Sequence, residues 1–470
     1  MSSETNTNSL KPFSTIQLLN FCLGFFGLQF AWQMRIILSG PVTEGLGASP
    51  LLFGLIWLAG PVTGMLVQPI IGELSDKTHT IFGKRRPYLF AGALFASLAL
   101  WAFPNSALLW DKIATTFHLP ALAFGGLIIA AIMIWVIDAC VNAAQGPYRA
   151  LVPDLVPQEQ HSLANAYLSF AIGLGSVVAA GTAPFLKYVC NYQMSIEAQF
   201  IMAALAFSLA MLWTCITIKE QKTKKVEVQE EKVEETKEPE PSFIKKVVDF
   251  FKSSPEVGKI CTLQLFTWIG IMSLFIFFTQ YSIHTVFGVP DLTTASEDIK
   301  ALYTDKISQA TNFSSICFAI QNLICFLVSI PIGLLSTKFG NKKVHFISLL
   351  TLAFTFVGMG LYTTNTAFIL ICMAIAGIGW ASILALPFAM LSQFIQKGSE
   401  GSVMGIFNIF IAGPQVVVCT LVSWIITACE FKTPDGVNYH WEYAFYIGAF
   451  CLIAATFVAS AIKEKVIALK

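Results

Sequence analysis

The sequence predicts an all-α membrane protein of twelve spanning helices, arranged as two bundles of six. Three observations carry that prediction. Of 470 residues, 55% are hydrophobic and only 12% are charged, about half the ~25% charge of an ordinary soluble domain. Twelve apolar runs recur along the chain, most near the ~20 residues that cross a bilayer. A charged stretch near the midpoint divides them six and six. A chain this poor in charge would not stay in solution as monomers. A net charge of +1 offers no basic face to a phosphate backbone, so no nucleic-acid partner is expected. Composition also excludes a disordered chain, a coiled coil and a secreted disulfide scaffold.

The first six runs are read at 14–38, 50–75, 87–104, 121–146, 161–186 and 198–218. The second six are read at 260–286, 309–336, 343–363, 366–395, 402–428 and 441–462. Such runs must be helical, because lipid offers no partner to an open backbone group. The polar start (1–11) meets the first run with no small-residue cleavage site, so no cleavable signal peptide is expected. Orientation follows Lys and Arg in short loops. The loop after the second run carries Lys77, Lys84, Arg85 and Arg86, and the loop after the eighth carries Lys338, Lys342 and Lys343. The tail carries Lys463, Lys465 and Lys470. The opposite connections, at 43–50, 104–120, 187–197, 284–306, 363–366 and 430–440, read as outer loops and are generally poorer in these residues. Both termini are therefore expected in the cytoplasm, and a bacterial inner (plasma) membrane is the expected location.

Residues 219–258 differ in kind. Their first part, 221–241, is rich in Glu and Lys and reads as a solvated linker. Within 242–252, Phe243, Ile244, Val247, Val248 and Phe251 stand beside Lys245, Lys246 and Lys252, the pattern of a short amphipathic helix on the inner surface. The expected organisation is a bundle at 1–218, a cytoplasmic linker at 219–258 and a second bundle at 259–470. The halves also repeat weakly. Gly72-Glu-Leu-Ser-Asp76-Lys77 precedes Gly83-Lys84-Arg85-Arg86, and Gly333-Leu-Leu-Ser-Thr337-Lys338 precedes Gly340-Asn341-Lys342-Lys343. Parallel six-helix repeats with a site between them at mid-membrane are a transporter architecture. A central cavity between the bundles is expected, and a monomer suffices for it.

The first of these loops resembles the loop signature of the major facilitator superfamily. Gly72 permits close helix approach. Asp76 can meet the start of a neighbouring helix, such as the eleventh near Gly401 and Ser402. The basic cluster can pair with acids such as Asp154. Gly72, Asp76, Gly83, Arg85, Arg86, Arg149 and Asp154 are therefore expected to form a cytoplasmic gate. The plainer alternative is that the basic residues only fix topology.

A narrower resemblance follows. Ile56-Trp57-Leu-Ala-Gly60-Pro61-Val-Thr-Gly64-Met-Leu-Val-Gln68-Pro69, continuing to Ser75-Asp76 and Gly83-Lys-Arg-Arg-Pro87, is similar to the second and third helices of the plant sucrose/proton symporters. It is similar also to their animal and bacterial relatives, the glycoside-pentoside-hexuronide:cation symporter group. Gly27-Leu-Gln29-Phe30-Ala-Trp32 resembles their first helix, and Asn165-Ala166-x-x-Ser169-Phe170 their fifth. Asp138-x-x-x-Asn142-x-x-Gln145-Gly146-Pro147-x-Arg149-Ala150 resembles their fourth, and the stretch from Asn408 to Gln415 their eleventh. The likeness runs from about residue 20 to 185 and is patchy after 260. It implies proton-driven uptake of a disaccharide, with the acid of the fourth helix as proton carrier.

Asp138 also stands on its own. It lies well inside an apolar span, where a carboxylate is costly and marks a functional site by default. Held away from water, it can load and release a proton near neutral pH. The alternative is a structural Asp locked to a fixed cation. Asn142 lies one turn on and Gln145 two, a polar stripe suited to sugar hydroxyls. Arg35 is the other charge in a span. It points into a water-filled cavity, pairs with Asp138 or Glu44, or reaches to the outer interface.

Sugar sites stack apolar sugar faces on aromatic rings while amides take the hydroxyls. The candidate sugar ligands are Gln29, Trp32, Gln33, Arg35, Trp57, Asn142, Gln145, Asn165, Trp268, Gln280, Asn312 and Asn408. Each amide alone is more often an interhelical hydrogen bond, and each Trp more often packing. The spans of the second half carry no comparable acid, so coupling is expected in the first half. One dominant carboxylate favours H⁺ over Na⁺.

Most of the eleven cysteines sit in apolar runs and read as small packing residues. The six histidines are scattered, with no metal or catalytic spacing. No Walker sequence is present, so ATP drive is not expected, and no cofactor or metal is implied. No nucleophile–base set argues for an enzyme. The expected partners are the lipid bilayer, a sugar and H⁺. The rivals are the same scaffold with another glycoside or with Na⁺, an exporter, and a membrane sugar sensor that binds without transport.

Overall fold

The computed structural model describes residues 12–120, 122–157, 160–218, 220, 255–293, 295, 297–394, 400–433 and 436–464. Among them, eleven helices are long and apolar enough to cross a membrane, or twelve when one bent pair counts as a span. The first six spans are Thr15–Gly45, Pro50–Lys77, the bent pair Arg86–Ala102 plus Ser106–Phe117, Gly125–Leu155, Leu163–Tyr188 and Ile196–Thr217. The last six are Pro255–Val286, Asp298–Phe339, Asn341–Leu361, Thr366–Ser392, Phe407–Ala428 and Tyr443–Ala461. The expected inner-surface helix at 242–252 lies outside the described residues.

The chain divides into two compact units. One holds Met1–Lys222 with Leu292–Asn322, and the other holds Thr223–Asp291 with Leu323–Lys470. In the first unit, Ser14 opens the first span with a capping box: its hydroxyl accepts from Gln17 N at 3.3 Å, and Gln17 Oε1 accepts from Ser14 N at 2.8 Å. That span packs closely on the sixth because residue 27 is glycine. A Cβ there would stand 2.6 Å from the Ala206 carbonyl oxygen, so only a bare backbone fits. The core of this unit closes on Phe21, Phe25 and Tyr148, whose hydroxyl donates to the Phe21 carbonyl. In the second unit, Phe277, Phe278, Tyr281 and Phe356 are fully buried, and the Tyr281 hydroxyl donates to the Met359 carbonyl at 2.6 Å. Large apolar side chains also face outward, Phe450 and Phe457 at 70% exposure each. That would be a liability in water and is ordinary against lipid.

Several boundaries differ from the sequence reading. The first span runs on through Pro41 to Gly45, and the fourth through Pro147 and Pro153 to Leu155. Proline ends most helices in water, but in lipid the backbone has no better partner and the helix continues. Residues 104–120 are not a plain loop. Pro104 breaks the third span, Asn105 Nδ2 caps the Trp101 carbonyl at 2.8 Å, and helix Ser106–Phe117 leaves at 86°. The eighth helix begins at Glu297, inside the expected outer loop. The expected outer loop at 430–440 holds an antiparallel hairpin, Glu430–Thr433 with Gly436–Tyr439.

Candidate functional site

Two polar clusters stand out in the first unit. The deeper one begins at Asp138 in the fourth span. Arg35 Nη2 lies 2.7 Å from Asp138 Oδ2, and the two side chains are only 3% and 5% exposed. Of the candidate partners for Arg35, the structure takes Asp138. The guanidinium also lies over the Trp57 ring, 4.3 Å from its centroid, an attractive placement for a cation. Trp57 Nε1 donates to Ser39 Oγ at 3.1 Å, one turn beyond Arg35. The second span lies against this pair at Gly60, where a Cβ would sit 3.5 Å from Asp138 Oδ2, in ordinary contact.

One turn down the fourth span, the amides join a hydrogen-bonded ladder. Gln68 Nε2 donates to Asn142 Oδ1 at 2.7 Å and to Gln145 Oε1 at 3.0 Å. Asn142 Nδ2 donates to Thr63 Oγ1 at 2.9 Å, and Thr63 donates in turn to the Ala59 carbonyl at 2.6 Å. Gln33 is fully buried and its Oε1 accepts from Asn322 Nδ2 at 3.3 Å. The structure thus pairs Arg35 with Asp138 and Trp57, and along the same two spans it joins Asn142 and Gln145 through Thr63 and Gln68.

Other candidates lie elsewhere. Gln29 and Trp32 are half-buried in the first span. Asn165 is exposed and donates to its own helix at the His161 carbonyl, 2.9 Å away. Asn312 is buried but likewise donates within its helix, to the Ser308 carbonyl at 2.7 Å. In the second unit, Trp268 packs edge-on against Trp380 at 5.8 Å, Gln280 is buried, and Asn408 is exposed.

The second cluster surrounds the loop after the second span. Arg85 is its hub. Its Nε donates to Asp154 Oδ2 at 3.0 Å, and its other nitrogens reach Asp76, Ser75 Oγ and the Gly72 carbonyl. Lys84 Nζ meets the second Asp154 oxygen at 3.0 Å. Asp154 thus takes two cations, while Asp76 is 61% exposed. Arg149 stands apart, with its guanidinium 5.7 Å from the Phe25 ring centroid. The expected approach of Asp76 to Gly401 and Ser402 lies outside the described side chains.

Gly83 holds this loop at φ +105°, a region that favours glycine. Its missing side chain also makes room for Glu220, whose carboxylate accepts from the backbone N–H groups of Lys84 (2.7 Å), Arg85 (3.0 Å) and Arg86 (2.8 Å). The second unit repeats the device. Gly340 sits at φ +93°, and Glu464 accepts from the N–H groups of Asn341 (2.9 Å) and Lys342 (3.0 Å). In both cases a carboxylate meets the positive end of a helix. Sequence reasoning missed both acids, although Ile218-Lys219-Glu220 and Ile462-Lys463-Glu464 close the two halves with the same three residues. It also left Ser39, Thr63 and Gln68 out of the site.

Apolar spans enclosing a buried ion pair define a multi-pass membrane protein with a polar interior, and the family it matches makes it a transporter rather than an enzyme. The chain belongs to the MFS/sugar transport protein family, whose family model matches residues 27–296, and the Major Facilitator Superfamily model matches residues 298–466. It is 26% identical over 424 residues to the sucrose transport protein SUT2 of Oryza sativa subsp. indica, with 83% of each chain covered. It is 24% identical over 433 residues to the sucrose transport protein SUC4 of Arabidopsis thaliana, covering 83% of this chain and 80% of that one. Among solved structures, the nucleoside transporter NupG matches with a TM-score of 0.65 at 12% identity, over 96% of this chain and 100% of that one. The inward open xylose transporter XylE from E. coli matches with a TM-score of 0.61 at 16% identity, over 95% and 96%. These structural likenesses establish the fold.

Proposed function

We propose that this transporter imports sucrose or a related glucoside together with a proton, by alternating access between two six-helix bundles at 1–218 and 259–470. The observation that carries the reading is the Arg35–Asp138 pair, an acid and a base buried inside spans. Burying charges is expensive even when they are paired. Such a pair makes sense as part of a cycle in which it is broken and remade. The names of the plant relatives supply the sugar.

In the proposed cycle, Asp138 takes a proton from the outer side, which cancels its charge and releases Arg35. The site then accepts sugar, with Asn142, Gln145 and Gln68 offering amide donors and acceptors to its hydroxyls. The loaded carrier closes outside and opens inside. Sugar leaves first, the proton follows, and Arg35 returns to Asp138. The empty carrier resets behind a cytoplasmic gate built on Asp76, Lys84, Arg85 and Asp154. Both termini lie in the cytoplasm of a cell inner (plasma) membrane, and one copy of the chain suffices.

The test is uptake of radiolabelled sucrose by the purified chain in liposomes, under an inward proton gradient and, separately, an inward Na⁺ gradient. Accumulation driven by protons alone is expected. Accumulation driven only by Na⁺, or none with any glucoside tested, would overturn the reading.

A further inference from the structure

Trp57 carries two tasks in one ring. Its indole N–H is tied to Ser39, which fixes the ring plane, and the Arg35 guanidinium covers one face at 4.3 Å. The ring is only 6% exposed, so this face has no room for a second occupant. Yet a flat indole one guanidinium away from a buried carboxylate, in the span that also carries Thr63 and Gln68, is the kind of platform on which a sugar stacks its C–H face. Arg35 meets Asp138 through one hydrogen bond, Nη2 to Oδ2, not through the two-pronged pairing that fixes an Arg in one geometry. Among the described residues, its Nε has no hydrogen-bond partner.

We propose that Arg35 and the sugar take turns on the same face of Trp57, with Ser39 as the positioning residue that keeps the ring in place for both. This rests on the sugar–proton reading above and adds the physical link between the two ligands. While Asp138 is ionised, Arg35 bridges carboxylate and ring, and the platform is covered. When Asp138 is protonated, the guanidinium loses its ionic partner and can leave the ring, which the sugar then occupies. The converse holds by linkage: sugar on the ring keeps Arg35 away and favours the protonated acid. Coupling needs no direct contact between sugar and proton.

The experiment uses the full chain labelled with 5-fluorotryptophan, in detergent, with the Trp57 fluorine signal assigned by its loss in Trp57→Phe. Sucrose binding is measured on the same samples by calorimetry. Three results are expected. Asp138→Asn moves the Trp57 signal without any sugar. Sucrose moves it in the wild type. Ser39→Ala weakens sucrose binding by roughly 3–10-fold alone but adds nothing in the Trp57→Phe background, because the hydrogen bond it removes is already gone. A purely structural role for Ser39 would give additive losses and would contradict the proposal. Sucrose binding with a stationary Trp57 signal would overturn the shared face while leaving the sugar reading intact. Absence of binding of sucrose and of every related glucoside by the wild type would overturn both, and calorimetry alone reports that case.

Discussion

Arg35 Nη2 and Asp138 Oδ2 meet at 2.7 Å between the first and fourth spans, with both side chains closed to solvent. Removing either partner leaves the other buried and uncompensated. Arg35→Ala and Asp138→Asn are each expected to destabilise the fold by ~3–5 kcal/mol. The double variant should lose clearly less than the sum, because neither charge is then stranded. Thermal unfolding of the four proteins in one detergent checks this. Strict additivity would mean that the contact carries no coupling.

At the loop after the second span, the two acids around Arg85 should not be equal. Asp76 is 61% exposed and Asp154 22%. Solvent screens the first pair, which is worth about 0–1 kcal/mol. Asp154 takes both Arg85 and Lys84 in a drier place and is worth roughly 1–2 kcal/mol. Asp154→Asn should therefore lower the melting temperature more than Asp76→Asn, and added salt should narrow the difference.

Glu220 and Glu464 serve corresponding loops in the two halves. Glu220→Ala removes the acceptor for three backbone N–H groups at the start of the third span, at a cost of about 2 kcal/mol. Glu464→Ala should cost a similar amount in the second unit. Hydrogen exchange resolves the two effects: protection at 84–86 should fall only in the first variant, and at 341–342 only in the second. Loss of protection at both loops from either change would show that the two anchors are not local.

Gly83 is constrained twice, by φ +105° and by the Glu220 carboxyl carbon, 2.6 Å from where a Cβ would stand. Gly83→Ala should cost about 1–2 kcal/mol from the backbone alone. It should also displace Glu220 and so weaken the same amides as Glu220→Ala. Equal melting temperatures for Gly83→Ala and wild type would contradict this account.

The number of spans was legible because lipid leaves the backbone only one solution, and apolar length reports it. Span ends were not. Pro41, Pro147 and Pro153 look like stops by rules learned in water, and the stretch 104–120, bounded by Pro104 and Pro120, reads as a loop although it holds helix Ser106–Phe117. Arg35 and Asp138 were visible as charges within apolar runs. That they face each other depends on how two helices are rotated, which periodicity does not fix, so Glu44 stayed open as a partner. Glu220 was hidden because it opens a highly charged stretch. Only the repeated Ile-Lys-Glu pointed to it. Asn165 matches a family motif, and its exposed amide donates to the carbonyl of His161 in its own helix, a pairing that a motif match does not reveal.

In the proposed cycle, Asp138 carries the proton that enters with the sugar. The most direct measurement is sucrose-evoked proton entry, followed with a pH dye trapped inside liposomes that hold either the wild type or Asp138→Asn. The wild type should acidify the lumen when sucrose is added outside. Asp138→Asn should give no acidification while still exchanging sucrose across the membrane. Acidification of equal size in both would contradict the assignment and place the proton elsewhere.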